Sequence, residues 1–272
     1  MSSFVLVDVR GDPCSSSLNS VDDTVALNYP SVSLSGLRSI FYLYDPIVNM
    51  EGFSLDHPDH AKALVDASET TVRSLSICAE PLWRVPIRVF GNLSRLEIFL
   101  GQDVENITLI FQYAGQLEHL SILGIDNHAI FSPFEDHPDS LPSLRSLKIM
   151  SPSTVWRPEM DIEEVQLHII ARFLRDKKEL RALDIHLWPH EWPSLAPFWD
   201  FLKQLPSLEV LGITTGVGVF TKDDFLSFAT ALPPRLSALR VGAQWDIGGG
   251  EENDGCRLFV RALHLIHIMR SI

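Results

Sequence analysis

The run Leu141-Pro142-Ser143-Leu144-Arg145-Ser146-Leu147-Lys148-Ile149 spaces its apolar residues three, three and then two apart. Residues two apart share one side of an extended strand. Residues three apart do not fit a strand, so they turn the chain into one. Leu205-Pro206-Ser207-Leu208-Glu209-Val210-Leu211-Gly212-Ile213 is nearly the same string.

Six further segments follow this spacing. Leu34, Leu37, Ile40 and Tyr42 form the first. Val72, Leu75 and Ile77 form the second, with Glu69 in the opening position. Phe90, Leu93, Leu96 and Ile98 come next, then Ala114, Leu117, Leu120 and Ile122. Leu180, Leu183 and Ile185 are opened by Lys177, and Leu232, Leu236, Leu239 and Val241 carry one extra residue. The second positions, 37, 72, 93, 117, 144, 180, 208 and 236, recur 21 to 36 residues apart. One such unit cannot bury its own apolar face, whereas a stack of units can.

The segments between these strands read as helices. Pro158 to Glu179 is the clearest, with Ile162, Val165, Ile169, Ile170, Phe173 and Leu174 at helical spacing. Thr221 to Asp224 resembles a helix-opening capping box. Asp59 to Thr70, Val104 to Tyr113 and Ala196 to Gln204 have weaker helical patterns. Alternating strand and helix predicts an α/β fold with a parallel sheet. The expected form is an open solenoid with parallel strands on the concave face and helices on the convex face. Residues 1–33 are read as an N-terminal segment or cap, 34–247 as about eight repeats, and 248–272 as a loop and C-terminal helix.

These units resemble leucine-rich repeats of the ribonuclease-inhibitor and F-box-protein type. The uneven lengths and the Leu-Pro-Ser-Leu-x-x-Leu-x-Ile string are similar to the repeat region of fungal F-box-like proteins. That resemblance implies a substrate receptor of a cullin-based ubiquitin ligase. No F-box is read in the residues ahead of Leu34. The alternative on the same scaffold is a regulator, either an enzyme inhibitor or a GTPase activator.

Composition bounds the partner class. The chain has 272 residues, 46% hydrophobic, and a formal charge of −13 from 22 basic and 35 acidic side chains. Nucleic acids and anionic membranes are held by Lys and Arg clusters, so neither is expected as a partner. Three separated cysteines, Cys14, Cys78 and Cys256, argue against a disulfide scaffold and for a reducing compartment. No signal peptide or membrane span is read, so the expected location is cytoplasmic or nuclear, and the expected state is a monomer.

The residues flanking the core positions of each strand would face a protein partner. They supply the candidate binding residues Phe41, Leu43, Arg95, Phe99, His119, Leu123, Lys148, Met150, Asp184, His186 and Arg240. The column after the last core position reads Leu43, Cys78, Phe99, Leu123, Met150 before turning to His186, Thr214 and Gly242. Exposed, it is an apolar stripe of the kind found at interfaces. Alternatively loops cover it, with Asp126 to Ser140, containing Ile130, Phe131 and Phe134, as the candidate lid.

No catalytic, metal or cofactor role is assigned. His57-Pro58-Asp59 and His137-Pro138-Asp139 lack the paired basic helices of a J-domain and read as turns. Asp56, His57, Asp59 and His60 read as solvated polar residues at a helix start. Gly248-Gly249-Gly250 runs into Glu251-Glu252, which would repel a phosphate. Trp188 and Trp192 are read as packing a proline-containing loop, and His264 and His267 as surface or boundary residues.

Overall fold

The computed structural model describes residues 6–7, 37–42, 62, 65–66, 68–100, 104, 106–123, 128–150, 164–186, 196–215 and 228–243. Nine strands in this set form one open sheet whose spatial order is the order of the chain. They are β1 (Leu6–Val7), β2 (Ser39–Tyr42), β3 (Ser74–Cys78), β4 (Arg95–Phe99) and β5 (His119–Leu123). β6 (Ser146–Met150), β7 (Ala182–His186), β8 (Val210–Thr215) and β9 (Ala238–Ala243) complete it. Every neighbouring pair is parallel. The chain is therefore α/β with a repeating, solenoid-like course. β1 lies within the segment expected to be only a cap, so the sheet begins one strand earlier than the repeat pattern indicates.

Before β4 to β8 the three-residue spacing is a turn. Leu93 N–H donates to Phe90 O at 3.2 Å, Leu117 to Ala114 at 3.0 Å, and Leu144 to Leu141 at 3.1 Å. Leu180 to Lys177 at 3.0 Å and Leu208 to Leu205 at 3.4 Å repeat the bond. Proline suits the second position of such a turn because its φ is preset, which accounts for Pro142 and Pro206.

The turn delivers one residue ahead of each strand whose carbonyl is shared. Arg38 O accepts from both Arg73 and Ser74, at 2.8 and 3.0 Å. Arg73 O accepts from Ser94 and Arg95, Ser94 O from Glu118 and His119, and Glu118 O from Arg145 and Ser146. Arg145 O, Arg181 O and Glu209 O continue the ladder to β9 at 2.7 to 3.1 Å. Each repeat is thereby pinned to the next before its strand begins.

Within the strands, Leu75, Leu96, Leu120, Leu147, Leu183 and Leu211 pair across the sheet in one column. Ile77, Ile98, Ile122, Ile149, Ile185 and Ile213 form a second. Both columns are buried in one continuous core with the helices. The helices are α1 (Ala79–Leu82), α2 (Ile87–Phe90), α3 (Thr108–Tyr113), α4 (Ser132–Asp136), α5 (Glu164–Leu174) and α6 (Ala196–Leu202). A 3-10 turn, His128–Phe131, precedes α4. α5 and α6 fall within the expected helices, and α3 within the second half of its window. α1, α2 and α4 are short helices that the periodicity did not reveal. Thr221 to Asp224 and the loop and C-terminal helix expected over 248–272 lie outside the described residues, although 228–231 are helical.

The segment expected to form a lid is part of the core instead. Phe134 on α4 makes edge-to-face contacts with Phe111 on α3 and Phe173 on α5, at centroid distances of 4.8 and 4.9 Å. Ile130 and Phe131 are buried with it. These aromatics bridge three successive helices, so they pack away from the outward columns of the sheet.

Two repeats carry a charge in the opening apolar position, and each charge has partners. Glu69 forms an ion pair with Arg88 on α2. Lys177 is only 3% exposed; its Nζ donates to Pro138 O at 3.0 Å and lies 4.5 Å from the Phe173 ring centre. Burial lowers the Lys177 pKa below its ordinary 10.5, partly opposed by Asp139 and Asp176. A lysine whose folded pKa is depressed destabilises the fold while charged in both states. That cost is relieved as pH rises from the folded pKa towards 10.5.

Two outcomes follow for stability. Lys177→Met is expected to raise the thermal midpoint at pH 7, with the gap to the native chain narrowing as pH approaches 10. A lower midpoint for the variant throughout would show that the ammonium contacts outweigh its burial. Leu120→Ala is expected to cost about 3 kcal/mol in chemical denaturation, against under about 0.5 kcal/mol for Ser121→Ala beside it.

Candidate interaction surface

Alternation along each strand sends the residues between the core columns to the opposite face. The pairing register sorts them into three outward columns. The first runs Ser39, Ser74, Arg95, His119, Ser146, Ala182, Val210, Ala238. The second runs Phe41, Ser76, Glu97, Ser121, Lys148, Asp184, Gly212, Arg240. The third contains Cys78, Phe99, Leu123 and Met150, with His186 and Thr214 further along.

The structure thus brings Phe41, Arg95, Phe99, His119, Leu123, Lys148, Met150, Asp184 and Arg240 onto one side of one sheet. His186 has its backbone at the end of β7, and its side chain lies outside the described residues. Leu43 also lies outside the described residues. Phe99, Leu123 and Met150 are half-buried, while Phe41 and Val210 are large apolar side chains exposed at 38% and 44%.

Two polar contacts shape the face. Ser76 Oγ donates to Glu97 Oε2 at 3.2 Å across the β3–β4 pair. Arg240 Nη2 on β9 donates to Asp184 Oδ1 on β7 at 2.6 Å, reaching over β8. The strand crossed by that ion pair presents Gly212, and a Cβ there would collide with the Asp184 carboxylate. Glycine at 212 is therefore what lets an acid and a base two strands apart meet.

The His119 pKa lies below the ordinary 6.5, first because of partial desolvation, then because of the Arg95 guanidinium, with Glu118 opposing and Arg145 adding. The ring is consequently uncharged at neutral pH and offers both a donor and an acceptor. Arg95 and Lys148 form no ion pair among the described residues. Also among those residues, no group of three His, Cys, Asp or Glu side chains is placed to hold a metal ion. No described helix is long and apolar enough to cross a membrane.

Asp56, His57, Asp59 and His60, together with Trp188, Trp192, His264 and His267, lie outside the described residues. His137 closes α4, and its carbonyl accepts from Ser140 Oγ at 2.8 Å, which makes the second His-Pro-Asp triplet a turn. No protein-family model matches the chain, and no curated protein matches its sequence.

The Gly212 assignment yields a test by paired substitutions. Gly212→Ala is expected to cost about 1 kcal/mol in the native chain through overpacking. In an Asp184→Ala background the same change should be close to neutral. Equal costs in the two backgrounds, measured by denaturant titration, would contradict the steric relation.

Proposed function

We propose that this chain is a leucine-rich-repeat interaction module whose open sheet face, concave in such a solenoid, receives a protein partner. The observation that carries the reading is the half-buried apolar column Phe99, Leu123, Met150 beside columns in which Arg95 and Lys148 form no ion pair among the described residues. Apolar side chains that folding leaves partly wet gain by being covered, and a polar rim around them supplies register. The binding residues assigned are Phe41, Arg95, Phe99, His119, Leu123, Lys148, Met150, Asp184 and Arg240. Leu43 and His186 join them by their place in the repeat. The proposal assigns the chain no reaction and no cofactor.

The specific form of the proposal is the substrate-recognition part of an F-box-type ubiquitin ligase receptor, acting in the cytoplasm or nucleus. Its support is the likeness of the Leu-Pro-Ser-Leu-x-x-Leu-x-Ile units to fungal F-box-protein repeats.

Phe99→Asp combined with Leu123→Asp tests both levels. In affinity purification from native extract, the native chain is expected to retain a partner that the double variant loses, with unchanged far-UV circular dichroism. An unfolded double variant would assign the pair to the core and overturn the surface reading. Recovery of a cullin adaptor supports the ligase form. A different partner that depends on the same two residues would overturn the ligase form and retain the module.

A further inference from the structure

We propose that the partner's binding segment is an acidic amphipathic helix laid across the strands. Its carboxylates meet an arginine edge, and its apolar side chains meet Phe99, Leu123 and Met150. This rests on the reading of the open face as the binding surface and gives that partner a chemistry.

The residue just ahead of the strand, the one whose carbonyl is shared between repeats, is Arg38, Arg73, Arg145 or Arg181 in four of seven cases. All four side chains are exposed. Glu118 and Glu209 are the acids in this row. The outward columns add Arg95, Lys148 and Arg240 against Glu97 and Asp184. Seven cations against four acids give this row and these columns together a charge of +3, against −13 for the whole chain.

The acids are also the more engaged partners. Glu118 pairs with Arg145 at 3.4 Å, Asp184 with Arg240 at 2.6 Å, and Glu97 accepts from Ser76. Arg38, Arg95, Lys148 and Arg181 form no ion pair among the described residues. An acidic segment is attracted to this cationic row and these columns.

The dimensions suit a helix. The arginine row and the apolar column stand five residues apart along each strand, or about 16 Å. A helix with its side chains is about 10–12 Å across, so it lies between the two and touches both. From β3 to β7 the strands span roughly 19 Å, which about 13 helical residues cover.

The test uses the full chain and fluorescence anisotropy with two labelled 16-residue amphipathic peptides. One has leucine on one helical face and glutamate elsewhere; the other replaces each glutamate with lysine. The glutamate peptide is expected to bind at least about tenfold more tightly, and less tightly as salt rises. Arg95→Glu with Arg181→Glu is expected to weaken it about tenfold, and Arg95→Gln with Arg181→Gln to weaken it less. The Gln pair also serves if the reversal fails to fold. No binding of the glutamate peptide, or equal binding of the lysine peptide, overturns the proposal. Loss of binding in the Phe99→Asp, Leu123→Asp variant with none in either arginine pair overturns the acidic partner but retains the surface. If neither site matters, the surface reading falls too. Tighter binding of a labelled oligo-dT than of the glutamate peptide overturns the proposal in favour of nucleic acid.

Discussion

A carbonyl that accepts two N–H groups from the next repeat is the constraint on which the rest of this structure depends. From Arg38 to Glu209 the residue ahead of each strand plays this part. The arrangement satisfies two backbone donors at the point where a turn becomes a strand, and it fixes which residue the strand starts on. Register matters here because a slip of one residue exchanges the two faces of a sheet. Leu120 and Ile122 would then face outward, with Ser121 and Lys148 forced towards the helices. The outward columns are a consequence of that ladder, as is the row of arginines that carries it.

Two repeats hold a charged residue in an opening apolar position. Glu69 and Lys177 occupy an apolar position, yet each is answered from a neighbouring element: Arg88 for one, Pro138 O and the Phe173 ring for the other. A buried charge without such partners would cost several kcal/mol. The three-phenylalanine contact joins α3, α4 and α5, with Phe111 reaching Phe173 two helices on.

The strands were legible because a turn, a ladder residue and an alternating strand leave a fixed Leu-x-x-Leu-x-Ile trace. The three outward columns followed from alternation alone. β1 was not legible, since two paired residues carry no period. Nor were α1, α2 and α4, each four or five residues long and shorter than two helical turns. Ile130, Phe131 and Phe134 looked like a lid because their neighbours in space, Phe111 and Phe173, are remote in sequence. Two site features were missed. The arginine edge had a signal in Leu37-Arg38-Ser39, Val72-Arg73-Ser74, Leu144-Arg145-Ser146 and Leu180-Arg181-Ala182. The role of Gly212 had none, because it depends on a carboxylate one strand away.

The central claim is that partners meet the open face of the sheet and not its helical side. Site-specific photo-crosslinking tests it most directly, with a photoreactive phenylalanine analogue at Ser121 on β5 or at the exposed Gln112 on α3. In native extract the account predicts a discrete crosslinked adduct from position 121 and none from 112. The same adduct from 112 alone would contradict it.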